Sequence, residues 1–81
     1  DIKRYEPRLA LDGGNDGLDL IKKVIYKSKS FLKINGVLAL EIGNEQFNKV
    51  SKILRSNKFR TRYIIKDYRE NIRCVLSTLE N

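Results

Sequence analysis

Apolar residues change their spacing from one segment of the chain to the next, and the spacing predicts the elements. Between positions 18 and 32, Leu18, Ile21, Val24, Ile25, Phe31 and Leu32 recur with the small Ser28, while Lys22, Lys23, Lys27 and Lys29 fall mostly between them. Steps of three and four put these residues in one stripe along an α-helix over 18–33, with the lysines on its wet side. Asp16 is placed to cap the helix start, and Asp19 lies near the positive end of its dipole. Lys33-Ile34-Asn35-Gly36 ends it, because Asn-Gly suits the left-handed backbone that terminates helices. Val37-Leu38-Ala39-Leu40-Glu41-Ile42 is then apolar without alternation, the pattern of a strand covered on both faces.

Gly43 and Asn44 open a second helix over 45–56, with Phe47, Val50, Ile53 and Leu54 as its stripe and Lys49, Lys52 and Arg55 outside. Asn57 suits its C-terminal cap. Two strands follow, over 60–66 and 73–79, the first centred on Tyr63, Ile64 and Ile65. The short polar turn between them, 67–71, pairs them as an antiparallel hairpin. A strand-helix-strand connection crosses over right-handed. Upstream, Asp12-Gly13-Gly14-Asn15-Asp16-Gly17 is a dense loop signal. No Gly-Lys-Ser/Thr follows its glycines and EF-hand spacing is absent, so it reads as a turn that launches a helix.

Composition narrows the chemistry. With 81 residues, the chain is one small domain or a piece of a larger one, and its core is thin. It contains no histidine, which removes Ser-His-Asp and Cys-His catalysis and most zinc sites. Its single cysteine, Cys74, cannot form an internal disulfide and reads as a small buried hydrophobe in a reducing, cytoplasmic setting. The longest apolar run, Val37-Leu38-Ala39-Leu40, is far too short to span a bilayer. The net charge of +7 could serve phosphate contacts. The charges are spread along the chain, however, and over 58–73 they alternate with apolar residues as in a strand with one wet face. Direct nucleic-acid binding is therefore the lesser reading.

The stretch Tyr5-Glu6-Pro7-Arg8-Leu9-Ala10-Leu11-Asp12-Gly13-Gly14-Asn15-Asp16-Gly17-Leu18 closely resembles the segment after the catalytic motif in the HemK/PrmC family. These are protein-(glutamine-N5) methyltransferases that modify peptide-chain release factors. Gly36-Val37-Leu38-Ala39-Leu40-Glu41-Ile42-Gly43 resembles the family's fifth strand, and Lys66-Asp67 and Arg73 resemble positions flanking its last hairpin. The resemblance runs over essentially the whole chain. It departs at Ser56-Asn57-Lys58-Phe59, where family members often carry a glycine-containing turn, and at Glu70 and Ile72, where they commonly have a glycine and an acidic residue.

The resemblance implies an α/β fold: the C-terminal fragment of a class I methyltransferase, Rossmann-like, with two helices on one face of a three-stranded mixed sheet ending in an antiparallel hairpin. Positions 1–17 would be the loop after the catalytic motif, and 18–81 the remainder of a single fragment. The strand at 73–79 would lie between those at 37–42 and 60–66. The opposite face would lack its covering helices, and the edge beside 37–42 would lack its neighbour. In such a parent, S-adenosylmethionine is the cofactor, and an Asn-Pro-Pro-Tyr motif holds the glutamine amide. Neither that motif nor the cofactor loop is in this sequence, so no catalytic, cofactor-binding or metal residue is assigned, and the chain alone is expected to be inactive. Tyr5, Glu6, Pro7 and Arg8 would form part of the substrate-pocket rim, or else simply shape a connection. The partners implied are a release factor and the missing N-terminal half of the domain, with self-association through the bare sheet face and no membrane. A basic RNA- or ribosome-binding module is the alternative, and a standalone domain that docks a separate N-terminal half is a third.

Overall fold

The computed structural model describes residues 4–5, 18–43 and 45–80. Its elements are β1 (Arg4–Tyr5), α1 (Leu18–Phe31), β2 (Val37–Glu41), α2 (Phe47–Ser56), β3 (Phe59–Lys66) and β4 (Ile72–Leu79). The sheet order is β1-β2-β4-β3. Strand β4 lies antiparallel between β2 and β3: the hairpin predicts its pairing with β3, and the family resemblance implies its central place. The short β1, which the hydrophobic pattern does not predict, adds a parallel pair at the far side of β2, with Arg4 beside Val37 and Tyr5 beside Leu38. The expected vacancy on that edge is thus partly filled. Among the described residues, only 39–41 of β2 have no strand on that side.

Both helices pack on one face of the sheet. Ile21 and Ile25 of α1 and Val50 and Leu54 of α2 meet Leu38, Leu40, Val75, Leu79 and Phe59 in a single buried cluster. Cross-strand register explains the selection. Leu38 faces Ser77, Leu40 faces Val75, and Phe59 faces Leu79, and directly paired residues share a face of the sheet. Burying a large aliphatic side chain completely contributes about 1.5–3 kcal/mol, so these contacts dominate the stability of so short a chain. Ser28 and Ser77 are buried with them. The Ser28 hydroxyl donates to the Ile25 carbonyl at 2.7 Å, satisfying itself within the helix.

Several expectations shift. Helix α1 stops at Phe31, and Phe31 is 64% exposed rather than part of the buried stripe, whereas Leu32 is buried just beyond the helix. Ending the helix lets the chain turn Leu32 inward and leaves Phe31 outside. Asp16 lies outside the described residues. The left-handed residue at the end of α1 is Asn35, with φ 71°. Gly36 is needed for a different reason: a Cβ there would sit 2.9 Å from the Lys33 carbonyl oxygen and 3.0 Å from the Leu32 side chain. The Gly36 N–H donates to that same carbonyl at 2.8 Å. Helix α2 begins at Phe47, and its opening rests on Gln46, whose Oε1 accepts the Gly43 N–H at 2.7 Å. Asn57 ends α2 as expected, its Nδ2 donating to the Ile53 carbonyl at 2.9 Å.

Lys58 and Glu70 hold left-handed backbone, with φ 66° and 67°. They stand where the resembling family tends to use glycine. Left-handed geometry costs a residue with a Cβ roughly 1–2 kcal/mol. Lys58→Gly and Glu70→Gly should therefore each raise stability by about 0.5–1 kcal/mol after the entropy that glycine adds to the unfolded chain. Gly36→Ala should lower it by about 1–3 kcal/mol through overpacking. Urea denaturation followed by far-UV circular dichroism measures all three, and opposite signs at Lys58 and Gly36 are the expected result.

Candidate functional site

The sheet face away from the helices is open among the described residues. Ala39, Leu76 and Tyr63 form one row across it, and Glu41, Cys74 and Ile65 form the next. Its openness lies on the β3 side: Tyr63 and Ile65 are largely exposed, Leu76 and Cys74 are half-buried, and Ala39 is buried. Cys74 is therefore half-buried rather than the buried hydrophobe expected: it sits on the face away from the described helices. An irregularity between Thr61 and Tyr63 is what turns Tyr63 toward this side. It gives β3 one extra residue, so Arg60 and Tyr63 share a face although three positions apart. The Arg62 Nε donates to the Thr78 hydroxyl at 3.0 Å, and Arg60 and Arg62 flank the Glu80 carboxylate at 3.7 and 3.9 Å. The β3 side of this face is thus apolar, with a charged rim.

The hairpin tip is built on Asp67. Its Oδ1 accepts the Arg69 N–H at 2.8 Å and the Asn71 N–H at 3.0 Å, and its Oδ2 accepts the Arg73 Nε at 2.8 Å. The Asp67 N–H donates to the Asn71 carbonyl and the Glu70 N–H to the Asp67 carbonyl, closing the turn. Donation from the Asn71 N–H, with that from Arg73 and the Arg69 N–H, holds the Asp67 carboxyl below its ordinary value of 3.8, against an opposing push from desolvation. Hydrogen bonds to the ionised form favour it. Position 67 carries its ring of donors without any catalytic geometry, since every donor belongs to the turn or to the first residues of β4.

No other constellation of reactive groups forms among the described residues. They hold no cluster of His, Cys, Asp and Glu that could bind a metal, and none of their helices is long and apolar enough to cross a membrane. A cleft of about 300 Å³ between α2 and β3 is lined by Ser51, Arg55, Phe59, Arg60, Thr61 and Glu80. The Glu80 carboxylate there is engaged by Arg60 and Arg62. Of the sequence-predicted rim residues, Tyr5 ends β1 beside Leu38. Glu6, Pro7 and Arg8, like Gly13 and Gly14, lie outside the described residues. With one proline in the chain, an Asn-Pro-Pro-Tyr motif is impossible.

Comparison with known proteins decides what this arrangement is part of. The chain is 43% identical over 77 residues to a release factor glutamine methyltransferase from Clostridium acetobutylicum, covering 95% of this chain and 27% of that protein. It is 42% identical over 77 residues to the protein of the same name from Fusobacterium nucleatum, covering 95% of this chain and 22% of that one. The chain is homologous to the C-terminal part of release factor glutamine methyltransferases. It spans about a quarter of the length of these curated relatives. A ribosomal protein uL3 glutamine methyltransferase from Francisella tularensis is 51% identical, but over 43 residues, 53% of this chain and 14% of that protein. Among solved structures, the protein-(glutamine-N5) methyltransferase (release factor-specific) from Alicyclobacillus acidocaldarius superposes with a TM-score of 0.62 at 25% identity, covering 94% of this chain and 46% of that one. No protein-family model matches the chain. The fold expected from the resemblance, a C-terminal methyltransferase fragment with two helices over the sheet, is the one present.

The Asp67 turn gives a pH prediction. Because its folded value lies below 3.8, its stabilisation is complete well above that value and is lost as pH falls through the lower folded value. Asp67→Asn should lower the melting temperature at neutral pH, and the gap from the parent chain should close below pH 3.8. Thermal melts across a pH series check this.

Proposed function

We propose that this chain is the C-terminal part of an S-adenosylmethionine-dependent protein-(glutamine-N5) methyltransferase that acts on peptide-chain release factors. The observation that carries the reading is homology over nearly the whole chain to enzymes of that name, with a match to only their C-terminal part. The release-factor enzymes match 83–95% of the chain and the uL3 enzymes 53–56%, which favours a release factor as substrate. In the complete enzyme, S-adenosylmethionine supplies the methyl group. This chain supplies the sheet edge, the two helices on one face, and the start of the pocket rim. β1 and β2 run in the same direction, and in open α/β sheets ligands bind outside the carboxyl ends of the strands. Tyr5, at the carboxyl end of β1, leads into Glu6, Pro7 and Arg8, which we place at the rim. Orienting the glutamine amide there is the main catalytic need, since good positioning alone can supply about 7–11 kcal/mol of the barrier. The rest of the methyltransferase domain would cover the face of Leu76 and Tyr63, and the parent would work in the cytoplasm with the translation machinery.

The test is a chimaera. Replacing the corresponding C-terminal segment of the Clostridium acetobutylicum enzyme with this chain should preserve methyl transfer to a release factor glutamine. A folded chimaera that binds cofactor yet transfers no methyl group would overturn the assignment. The chain alone should show no saturable S-adenosylmethionine binding by calorimetry at millimolar ligand, and micromolar affinity would contradict the fragment reading.

The open face also predicts behaviour in isolation. Uncovered Tyr63, Ile65 and Leu76 should drive self-association, detected as sedimentation that depends on concentration. Leu76→Lys, placed mid-face, should reduce it. A monomer at all concentrations with a melting temperature above about 65 °C would show that the chain needs no further cover.

A further inference from the structure

Strand β3 is the outer strand of the sheet, and among the described residues nothing pairs with its far side. It is eight residues long, and positions 62–66 are all exposed. Tyr63 is 72% exposed, Ile64 41% and Ile65 52%. Tyr63 and Ile65 lie on the open face, whereas Ile64, paired with Val75, lies on the helix side. Apolar groups therefore flank the outer backbone edge on both sides. Alternate residues of such an edge direct N–H and C=O groups outward, ready for another strand.

Charge decides which strand. β3 carries Arg60, Arg62 and Lys66 and no carboxylate. Among the described residues, Glu80 stands 3.7 Å from Arg60 and 3.9 Å from Arg62 at one end of the strand, and Asp67 at the other end is already held by Arg73. A second copy of β3 would bring cations alongside cations, a common guard against edge pairing. An extended partner with carboxylates would meet the opposite sign. Nucleic acid would meet it too, but would use neither the directional backbone groups nor the aliphatic Ile64 and Ile65.

We propose that the outer edge of β3 is a docking site for an extended acidic peptide segment, which adds as a further strand. Its main-chain groups pair with those of β3, its carboxylates meet Arg60, Arg62 and Lys66, and its apolar residues lie against Tyr63, Ile64 and Ile65. This is strand addition, with backbone bonds supplying affinity and side chains supplying selectivity. It does not depend on the methyltransferase reading, because no cofactor or substrate group takes part.

The test uses the 81-residue chain labelled with nitrogen-15 and a short synthetic peptide of alternating Glu and Val, with a Lys-for-Glu version as control. The Glu peptide should shift β3 amide resonances and slow hydrogen exchange at alternate β3 residues, with affinity falling as salt rises. The Lys peptide should not. The double variant Arg62→Glu, Lys66→Glu should bind the Glu peptide at least about tenfold more weakly and gain the Lys peptide, while Val50 and Leu54 resonances report an intact helix face. Equal binding of both peptides, changes confined to Leu76 and Cys74, occupation of the edge by a second copy, or protection of β3 by single-stranded RNA but not by peptide would each overturn the proposal.

Discussion

The arrangement depends on two helices packing on the same face of one short strand. Leu38 and Leu40 of β2 are fully buried, and both α1 and α2 reach them through Ile21, Ile25, Val50 and Leu54. Strand geometry sends neighbouring residues to opposite faces. Once Leu38 and Leu40 are committed to the helices, Val37, Ala39 and Glu41 are committed to the other side. The same division passes through register to β4, where Val75, Ser77 and Leu79 follow the helices while Cys74, Leu76 and Thr78 do not. Slipping β2 by one residue would turn Leu38 and Leu40 out and put Glu41 beneath α1, so the register is strongly specified.

The helices were legible because a stripe at steps of three and four has one geometric solution. Ile21, Ile25, Val50 and Leu54 are buried where the spacing puts them. The hairpin was legible because its polar turn is short. What the pattern missed lies where local backbone geometry overrides periodicity. The extra residue in β3 near Arg62 shifts every later side chain by one face, and nothing in Arg60-Thr61-Arg62-Tyr63 signals it. Left-handed backbone at Lys58 and Glu70 is hidden because those residue types rarely adopt it. Strand β1 is two residues long, too short to carry any period. Phe31 fits the helical stripe by spacing, yet it is exposed, because the helix ends there and the next residue takes the inward direction.

The candidate site divides differently. Its open face could be anticipated, because Val37 to Leu40 is apolar at consecutive positions and, among the described residues, helices lie on one face only. Its ring of donors around Asp67 could be suspected from Asp67 to Asn71 as a polar turn, but not the inward aim of both carboxylate oxygens. That aim depends on where Arg69, Asn71 and Arg73 stand after the turn closes. The rim residues Glu6, Pro7 and Arg8 rest on resemblance and on the direction in which β1 runs. Their reading stands on sequence, whereas that of the sheet face stands on geometry.

The open face and the open edge call for different partners. The face offers Leu76 and Tyr63 side by side, with side chains and no available backbone, so its complement is an apolar surface that excludes water. The edge offers backbone groups beside cations, so its complement is narrow, extended and acidic. A chain completing the methyltransferase domain can satisfy the first without touching the second, because the two surfaces point in perpendicular directions from the sheet. Tyr63 and Ile65 belong to both, and covering the face would bury part of what an added strand could use. Ile64, on the helix side, would remain for that strand, and so would Lys66. The basic character of β3 then serves in two ways at once: it keeps like strands apart while the face is open, and it selects an acidic strand once the face is closed.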